Sequence, residues 1–398
     1  MKHCYAHLNA EAPGRGWLAG LPGCTSKNSG IIGYMLLVRS MAGLATLLLA
    51  LAVLQAQTPA DPHRCRDSNS TPFSDNGKWG YLTPAGILVK PQFDIATPFF
   101  DGRAQVCTKQ YCWAVDEKVE GVGPIRPRGG PFADHFSEGL GAASDGSKRG
   151  FVDETGKVVV PFRYSFTHDF SDGIALVGLG TGTEMVEFFI DRHGQRVSDE
   201  YKGYMEEFHE GLAAVHVDGK GGYLRKDLTL AITPQFEGVN QFSEGLAAVR
   251  IHGKVGYIDR TGAVVISPAY DMTFPFSEGL AVVVDGSHAS YIDHTGSKPF
   301  PDQFRIGHTF EEGVASVQTA DEKWGYIDHN GYFVIPPQFD SAMPFCAGVA
   351  AVATYRIVDT GAHGRAEKYE GRHGFIDHAG HYIWREAQDH QWQSGFMF

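Results

Sequence analysis

The sequence repeats one short pattern along most of its length. The stretch "KWGYID" at Lys323–Asp328 echoes "GKWGYL" at 77–82 and "GKVGYID" at 253–259. An aromatic residue follows the glycine of this pattern, or the residue that replaces that glycine. It recurs roughly every 34 residues, a period typical of repeat proteins. The aromatic positions are Tyr81, Trp113, Phe151, Phe189, Tyr223, Tyr257, Tyr291, Tyr326 and Phe375. Such a chain is expected to fold as a series of small, similar units that stack on one another.

A second marker, Phe-x-x-Gly, runs through the chain with the same period. Its phenylalanines are Phe99, Phe136, Phe170, Phe208, Phe242, Phe276, Phe310 and Phe345. Two independent markers that agree on one period predict about nine units over residues 76–385, with the outer units less regular.

One regular unit, residues 242–275, predicts three antiparallel strands. The segments 246–251, 255–259 and 263–267 alternate or cluster apolar residues as strands do, and glycine-containing turns separate them. Gly245 is expected to take a positive φ, and Pro268 is expected to stop the third strand because proline lacks a ladder donor. Each unit is therefore predicted to be a three-stranded antiparallel meander.

Stacking explains why the same residues recur, because one small meander cannot bury both of its faces alone. Gly256, beside Tyr257, is interpreted as a place where backbone or a ring of the next unit approaches closely. The fold class is all-β. The short unit favours an open or superhelical β array, and a β-propeller-like ring is the alternative.

The motifs "GKWGYL", "EKWGYID" and "GKVGYID", together with Phe-Ser-Glu-Gly-Leu-Ala and Pro-Gln-Phe-Asp, resemble the WG-repeat family of bacterial proteins. The resemblance implies tandem β-rich repeats, often exported, with no common activity, cofactor or catalytic residue. It assigns structural roles to Trp79, Gly80, Gly150, Gly222, Gly256, Trp324, Gly325 and Gly374. Other residue types replace most of the tryptophans, which favours a packing role at that position over ligand stacking.

The N-terminal region resembles an export signal. The uncharged apolar stretch from Met41 to Leu54 has the length of a signal-peptide core, and Arg39 precedes it. We therefore expect translation to start at Met35, with residues 1–34 a mis-assigned upstream segment, 35–56 a signal peptide and 57–75 a linker. We therefore expect a periplasmic or secreted bacterial protein that has no transmembrane domain once the signal peptide is removed. An uncleaved anchor is the alternative.

Charge and cysteine content limit the partners and the covalent links. The net charge is −12, and residues 1–56 are basic, so an acidic mature chain is a poor candidate for nucleic acid. Four cysteines follow residue 56, and an oxidising compartment permits disulfides between them. Cys107 and Cys112 flank a short turn and are the preferred pair, with free cysteines as the alternative.

The repeated polar residues do not predict a catalytic, metal or cofactor site. His294, His329 and His378 recur at one turn position that other units fill with arginine or glutamate, so we interpret them as solvated turn residues. Acidic residues also recur, two positions after most of the Phe-x-x-Gly phenylalanines: Glu138, Asp172, Glu210, Glu244, Glu278 and Glu312. Identical turn acids do not provide the separate acid and base roles that hydrolysis requires.

The largest departure from the repeat is the insertion at 354–373. It concentrates Arg356, Arg365, Lys368 and Arg372, and insertions in repeat arrays often lie on the binding face. These four residues are the candidate partner-binding loop, or the insertion is simply a tolerated surface loop. Residues 386–398 are expected to cap the last sheet.

The sequence therefore predicts a non-enzymatic binding or scaffold module in the bacterial cell envelope, whose partner is a protein or a cell-wall polymer. The alternative is a carbohydrate-active enzyme with carboxylates in a cleft between repeats, and a pair of acids that breaks the repeat pattern would favour it. A structural spacer without a specific partner is the third hypothesis.

Overall fold

The computed structural model describes residues 70–99, 102–127, 136–181, 185–198, 204–301, 304–359 and 368–393. Within these residues the regular elements are 33 β-strands in nine antiparallel sheets, with no helix. The predicted all-β array of small antiparallel meanders is confirmed. The signal peptide, the upstream segment, most of the linker, Arg365 and the last five residues lie outside the described residues.

The first four sheets follow one another along the chain. Sheet 1 contains β1 (Thr71–Asp75), β2 (Lys78–Thr83) and β3 (Gly86–Phe93), and sheet 2 contains β4 (Ile95–Ala96), β5 (Arg103–Cys107), β6 (Tyr111–Asp116) and β7 (Gly121–Pro127). Sheet 3 contains β8 (Leu140–Ser144), β9 (Arg149–Asp153) and β10 (Val158–Tyr164), and sheet 4 contains β11 (Phe166–Thr167), β12 (Ile174–Leu179) and β13 (Val186–Asp191).

The next three sheets include the most regular units. Sheet 5 contains β14 (Tyr204–His209), β15 (Leu212–Val217), β16 (Lys220–Arg225) and β17 (Leu230–Phe236). Sheet 6 contains β18 (Gly238–Ser243), β19 (Leu246–Ile251), β20 (Lys254–Asp259) and β21 (Val264–Tyr270), and sheet 7 contains β22 (Met272–Thr273), β23 (Ala281–Asp285) and β24 (His288–Ile292).

The last two sheets complete the array. Sheet 8 contains β25 (Ile306–Gly307), β26 (Ala315–Gln318), β27 (Trp324–Ile327) and β28 (Phe333–Phe339). Sheet 9 contains β29 (Ser341–Ala342), β30 (Ala350–Asp359), β31 (Lys368–Ile376) and β32 (Tyr382–Arg385), and β33 (His390–Gln393) pairs with the outer part of β31. No membrane-crossing helix is found among the residues that the structure describes.

Most units add a short first strand to the predicted meander. In sheet 6 this strand is β18, which contains Phe242, ends at Ser243 and pairs with β19. The two are joined by a two-residue turn in which both Glu244 (φ 53°) and Gly245 (φ 82°) are left-handed. Two successive positive φ angles are typical of the type I′ hairpin. The positive φ expected of the glycine is observed, and the glutamate before it shares that conformation.

The second turn of the unit follows the expected chemistry. Asp259 Oδ1 accepts hydrogen bonds from the backbone N–H groups of Thr261 (2.9 Å) and Ala263 (3.0 Å). The Gly262 N–H donates to the Asp259 carbonyl (3.0 Å). Pro268, however, does not end the third strand. The pairing shifts register around it and resumes at Val255↔Tyr270, so the strand continues through a bulge.

The close approach at Gly256 comes from its own unit, and the expectation of contact with the next unit is wrong. A Cβ at Gly256 would lie 2.4 Å from the Ile266 carbonyl oxygen and 2.6 Å from the Pro268 nitrogen, both in the bulged third strand. Gly80, Gly150, Gly222 and Gly325 meet the backbone of their own third strands in the same way. The repeated glycine therefore makes room for the proline bulge.

The core lies between consecutive sheets. Tyr257 of sheet 6 is buried and donates from its hydroxyl to the Phe274 carbonyl, which precedes the hairpin turn of sheet 7, at 2.8 Å. Its ring packs on Phe276, with 5.0 Å between the ring centroids. The same hydroxyl-to-carbonyl bond is made by Tyr81, Tyr223, Tyr291 and Tyr326. The repeated aromatics therefore join each sheet to the next.

The first and last sheets also pack against each other. Phe73 and Leu82 of sheet 1 form a buried cluster with Val349, and the Phe73 ring lies 5.3 Å from that of Trp384. The Thr71 hydroxyl donates to the Cys346 carbonyl at 3.2 Å. The array therefore closes on itself, as in the ring that was the alternative to an open array.

Candidate functional site

The tryptophan position of the repeat is buried in sheet 8 and partly buried in sheet 1, where it is Trp79. Trp324 is buried and its ring stacks on His308, with 5.0 Å between centroids and an angle of 21° between planes. Burial lowers the pKa of His308 to about 4, so this imidazole is neutral near pH 7. This geometry agrees with a packing role for the tryptophan position and leaves no free indole face for a ligand at Trp324.

The turn acids form a ladder that joins neighbouring sheets. Glu244 Oε2 in sheet 6 accepts the backbone N–H of Gly279 in sheet 7 at 3.0 Å. Glu138, Glu210, Glu278 and Glu312 accept the corresponding glycine N–H of the next sheet. Each carboxylate therefore satisfies a turn donor that would otherwise need water, and these acids serve the fold.

The recurring histidines are partly exposed at their turns, as predicted, and they also take part in the contacts between sheets. The His294 ring stacks on Phe276, with 4.3 Å between centroids, and its Nε2 lies 3.3 Å from Glu244 Oε2. His329 and His378 repeat this arrangement on Phe310 and Phe345. Because each pairs with the glutamate of the preceding sheet, the sequence period alone could not reveal the contact.

A different group of ionisable residues breaks the repeat pattern between sheets 4 and 5. It consists of His168, Glu187, Glu206 and Glu207, which we call the acid cluster. His168 Nδ1 lies 2.9 Å from Glu207 Oε1, and the buried Glu187 carboxylate accepts the Met205 N–H at 3.0 Å. At the two positions of Glu206 and Glu207, other units have uncharged pairs such as Thr97-Pro98, Asn240-Gln241, Phe274-Pro275 and Met343-Pro344.

Burial dominates the electrostatics of the acid cluster. It raises the pKa of Glu206 to about 7, with a small contribution from the negative charge of Glu207 and an opposing one from His168. Burial also raises the pKa of Glu187, against the hydrogen bond from Met205. The hydrogen bond to Glu207 raises the pKa of His168 and outweighs the effect of burial.

With a pKa of about 7, Glu206 is divided between its protonated and ionised forms near neutral pH. Such a group can donate or accept a hydrogen bond, and its environment is of the type that tunes general acids and bases. Sequence reasoning missed the acid cluster, although the signal was present as two adjacent glutamates at positions that are uncharged in most other units. This cluster is the candidate functional site of the array itself.

The insertion at 354–373 is mainly an extension of two strands. The two strands β30 and β31 pair continuously from Ala350↔Ile376 to Ile357↔Tyr369. The guanidinium of Arg356 pairs with Glu370, and that of Arg372 pairs with Asp389. Lys368 is exposed. Two of the four candidate binding residues are therefore neutralised by neighbouring acids, which argues against a basic patch.

The cysteines add covalent links. The structure joins Cys107 to Cys112 across the β5–β6 turn, where the two residues face each other in the ladder. Cys346, in the turn that contacts sheet 1, is also disulfide-bonded. These links brace strand turns in an array whose units are individually small.

The geometry defines an all-β repeat protein, and comparison with known families specifies the repeat. The model of the WG containing repeat matches residues 85–112, 150–180, 222–254, 256–287 and 324–353. The chain therefore contains five segments that match the WG repeat, as the motif resemblance predicted.

Comparison with solved structures gives distant similarities. A crystal structure of a eukaryotic initiation factor matches with 10% identity over 81% of this chain and 98% of that chain, at a TM-score of 0.48. BamB from Moraxella catarrhalis matches with 12% identity over 72% and 94% of the two chains (TM-score 0.40). AztD from Citrobacter koseri matches with 10% identity over 67% and 84% (TM-score 0.36). No curated protein sequence matches the chain.

Proposed function

We propose that the protein is an exported, non-enzymatic binding or scaffold module of the bacterial cell envelope. The export signal predicted for residues 35–56 supports the location. The ladder of glutamates and histidines supports the scaffold role, because groups that could do chemistry are used to hold neighbouring sheets together.

The observation that carries the binding role is an apolar surface at the outer edges of the sheets. The last strand of sheets 1, 3, 5, 6, 8 and 9 lies at a sheet edge. Large apolar side chains in or beside these strands are exposed: Ile87, Leu88, Val158, Leu230, Val264, Val265, Tyr332, Phe333, Val334 and Tyr382. We call this surface the apolar rim. Tyr332 is 73% exposed.

The apolar rim favours a protein over a cell-wall polymer as the partner. Exposed apolar residues that recur in register are a feature of protein-interaction surfaces, and unpaired edge strands offer backbone donors and acceptors to an extended segment. A proline interrupts several of these strands near the middle, for example Pro234 and Pro268, which limits pairing between copies of the chain. The partner would then contact the apolar first half of each strand.

An affinity capture tests this function. The purified chain is immobilised, exposed to envelope extract, and the retained material is identified by mass spectrometry and sugar analysis. We expect one retained protein, lost when Val264→Asp and Val265→Asp are combined and kept in the control Ser287→Asp, which alters an exposed turn. Retained glycan without protein, or a protein retained equally by the rim variant, would contradict the proposal.

The acid cluster favours a second candidate, a carbohydrate-active enzyme. Glu206, with its pKa raised to about 7 by burial, has the property of a general acid, and Glu187 and Glu207 supply further carboxyl groups nearby. This candidate predicts that the chain shortens an envelope glycan and that Glu206→Gln abolishes the release of reducing ends. Equal release by the wild type and Glu206→Gln would exclude this role for Glu206.

A further inference from the structure

Two histidines and one glutamate meet where the chain ends its last sheet. His373 lies in β31 at the tryptophan position of the ninth unit, Glu386 directly follows β32, and His390 begins β33. Glu386 Oε2 is 3.5 Å from His373 Nδ1 and 3.1 Å from His390 Nδ1. One ligand atom from each of the three residues lies within 4.8 Å of the others.

These separations fit a small divalent metal ion. Zinc binds histidine nitrogen and carboxylate oxygen at about 2.0–2.2 Å, and tetrahedral angles then place its ligands roughly 3.3–3.5 Å apart. The two measured distances to Glu386 are close to this spacing. Two neutral imidazoles and one carboxylate form a known ligand set for zinc and related first-row ions, and they leave a coordination position for water.

The backbone holds the three groups in place before any ion binds. The His373 N–H donates to Glu386 Oε2 at 2.7 Å, and the Glu386 N–H donates to the His373 carbonyl at 3.1 Å. His390 is fixed by the pairing of β33 with β31, where it faces Gly371. Such second contacts orient metal ligands and maintain affinity.

The neighbouring charges also permit a cation. Arg372, next to His373 in β31, is paired with Asp389, which directly precedes His390, so its positive charge is balanced.

We propose that His373, Glu386 and His390 bind one divalent transition-metal ion, with zinc as the test ion. The site differs from the repeated histidine–glutamate pairs, which bring together a single histidine and a single carboxylate at each sheet junction. Sequence analysis predicted no metal site. It missed this one because only His373 occupies a repeat position, whereas Glu386 and His390 lie beyond the last unit and reach it through the pairing of β32 and β33 with β31.

Calorimetric zinc titration of the untagged, chelator-treated full chain tests the proposal. We expect one site in the wild type and a loss of affinity of at least about tenfold in both Glu386→Gln and His390→Ala, as expected when a ligand or its support is removed. The control is His381→Ala. His381 Nδ1 lies 3.5 Å from Asp377 Oδ2, also four residues away, but no second histidine completes that pair among the described residues.

Thermal unfolding of the same proteins separates binding from misfolding. Zinc should raise the unfolding temperature of the wild type and of His381→Ala, and it should not raise that of Glu386→Gln or His390→Ala, whose unfolding without zinc should stay cooperative. X-ray absorption should show nitrogen and oxygen ligands only. Absence of zinc binding to the wild type, or wild-type affinity in both ligand variants, would overturn the proposal.

Discussion

The turn glutamates show how single residues stabilise the array. Glu244 occupies the left-handed region, which is unfavourable for a residue with a side chain. Its carboxylate compensates by accepting the Gly279 N–H and lying beside His294 of the next sheet. The backbone strain is confined to one residue, whereas the hydrogen bond joins two neighbouring sheets. Because the same contact recurs between successive sheets, the glutamate recurs with it.

Replacing Glu244 by alanine should therefore destabilise the protein by about 1 kcal/mol, because a hydrogen bond between sheets is lost while the strain remains. Glu244→Gly loses the same bond but relieves the strain, so it should cost less than Glu244→Ala. Urea unfolding of the two variants and the wild type gives the comparison. If Glu244→Ala unfolds at the wild-type urea concentration, the carboxylate does not stabilise the junction.

The acid cluster predicts a pH dependence of stability. The pKa of Glu206 is raised from 4.5 to about 7 by burial, so between these values the folded state binds more protons than the unfolded state. The free energy of unfolding should fall as pH rises from about 4.5 to 7 on this account. At pH 8, Glu206→Gln should be more stable than the wild type by about 3 kcal/mol, and the difference should disappear below about pH 4.5.

Urea unfolding across pH 4–8 measures this difference. The control is Glu237→Gln. Backbone hydrogen bonds from Gly253, the largest contribution, and His252 lower the pKa of exposed Glu237, so its contribution to stability changes only at more acidic pH. A constant difference between Glu206→Gln and wild type over the whole range would mean that Glu206 is ionised in the folded protein near pH 5.

At the scale of the element, the glycine before each aromatic is explained by the bulge opposite it. A Cβ at Gly256 would overlap the backbone of Ile266 and Pro268, and neither can move without breaking the β20–β21 pairing. Gly256→Ala should therefore destabilise by about 2–4 kcal/mol, in the range of other severe steric substitutions.

Gly238→Ala is the matched control for Gly256→Ala. A Cβ at this strand glycine would lie 3.6 Å from Arg250 Cβ, an ordinary contact, so its effect should be within about 0.5 kcal/mol of the wild type. The thermal unfolding temperatures of the two variants provide the measurement. Equal shifts would show that the bulge does not require glycine.

The same elements show what the sequence can and cannot predict. The three strands of each unit and the Asp-x-x-Gly turns follow from local patterns, since strands alternate and turns use particular residues. The short strand such as β18, the bulge beyond Pro268 and the stacking of His294 on Phe276 depend on residues that meet only in the folded chain. The acid cluster was detectable as a break in the repeat, whereas the His373–Glu386–His390 site was not, because pairing of β33 with β31 creates it.

At the scale of the whole molecule, closure makes the first sheet an internal member of the array. Sheet 1 lacks the short strand of the regular unit, yet Phe73 is buried against residues from sheet 9. In an open array the terminal sheets would each lack a neighbour on one face and would need a cap. Contact between the two ends replaces such caps, and the apolar rim remains at the sheet edges for a partner.

Hydrogen exchange measured by mass spectrometry tests this closed arrangement most directly. The amides of β2 in sheet 1 should be as protected as those of β20 in sheet 6, because both sheets have neighbours. Trp384→Ala, which removes a ring packed 5.3 Å from Phe73, should increase exchange in β1 and β2 and leave β19 and β20 unchanged. Rapid exchange of β2 in the wild type, with no further effect of Trp384→Ala, would contradict closure and indicate an open array.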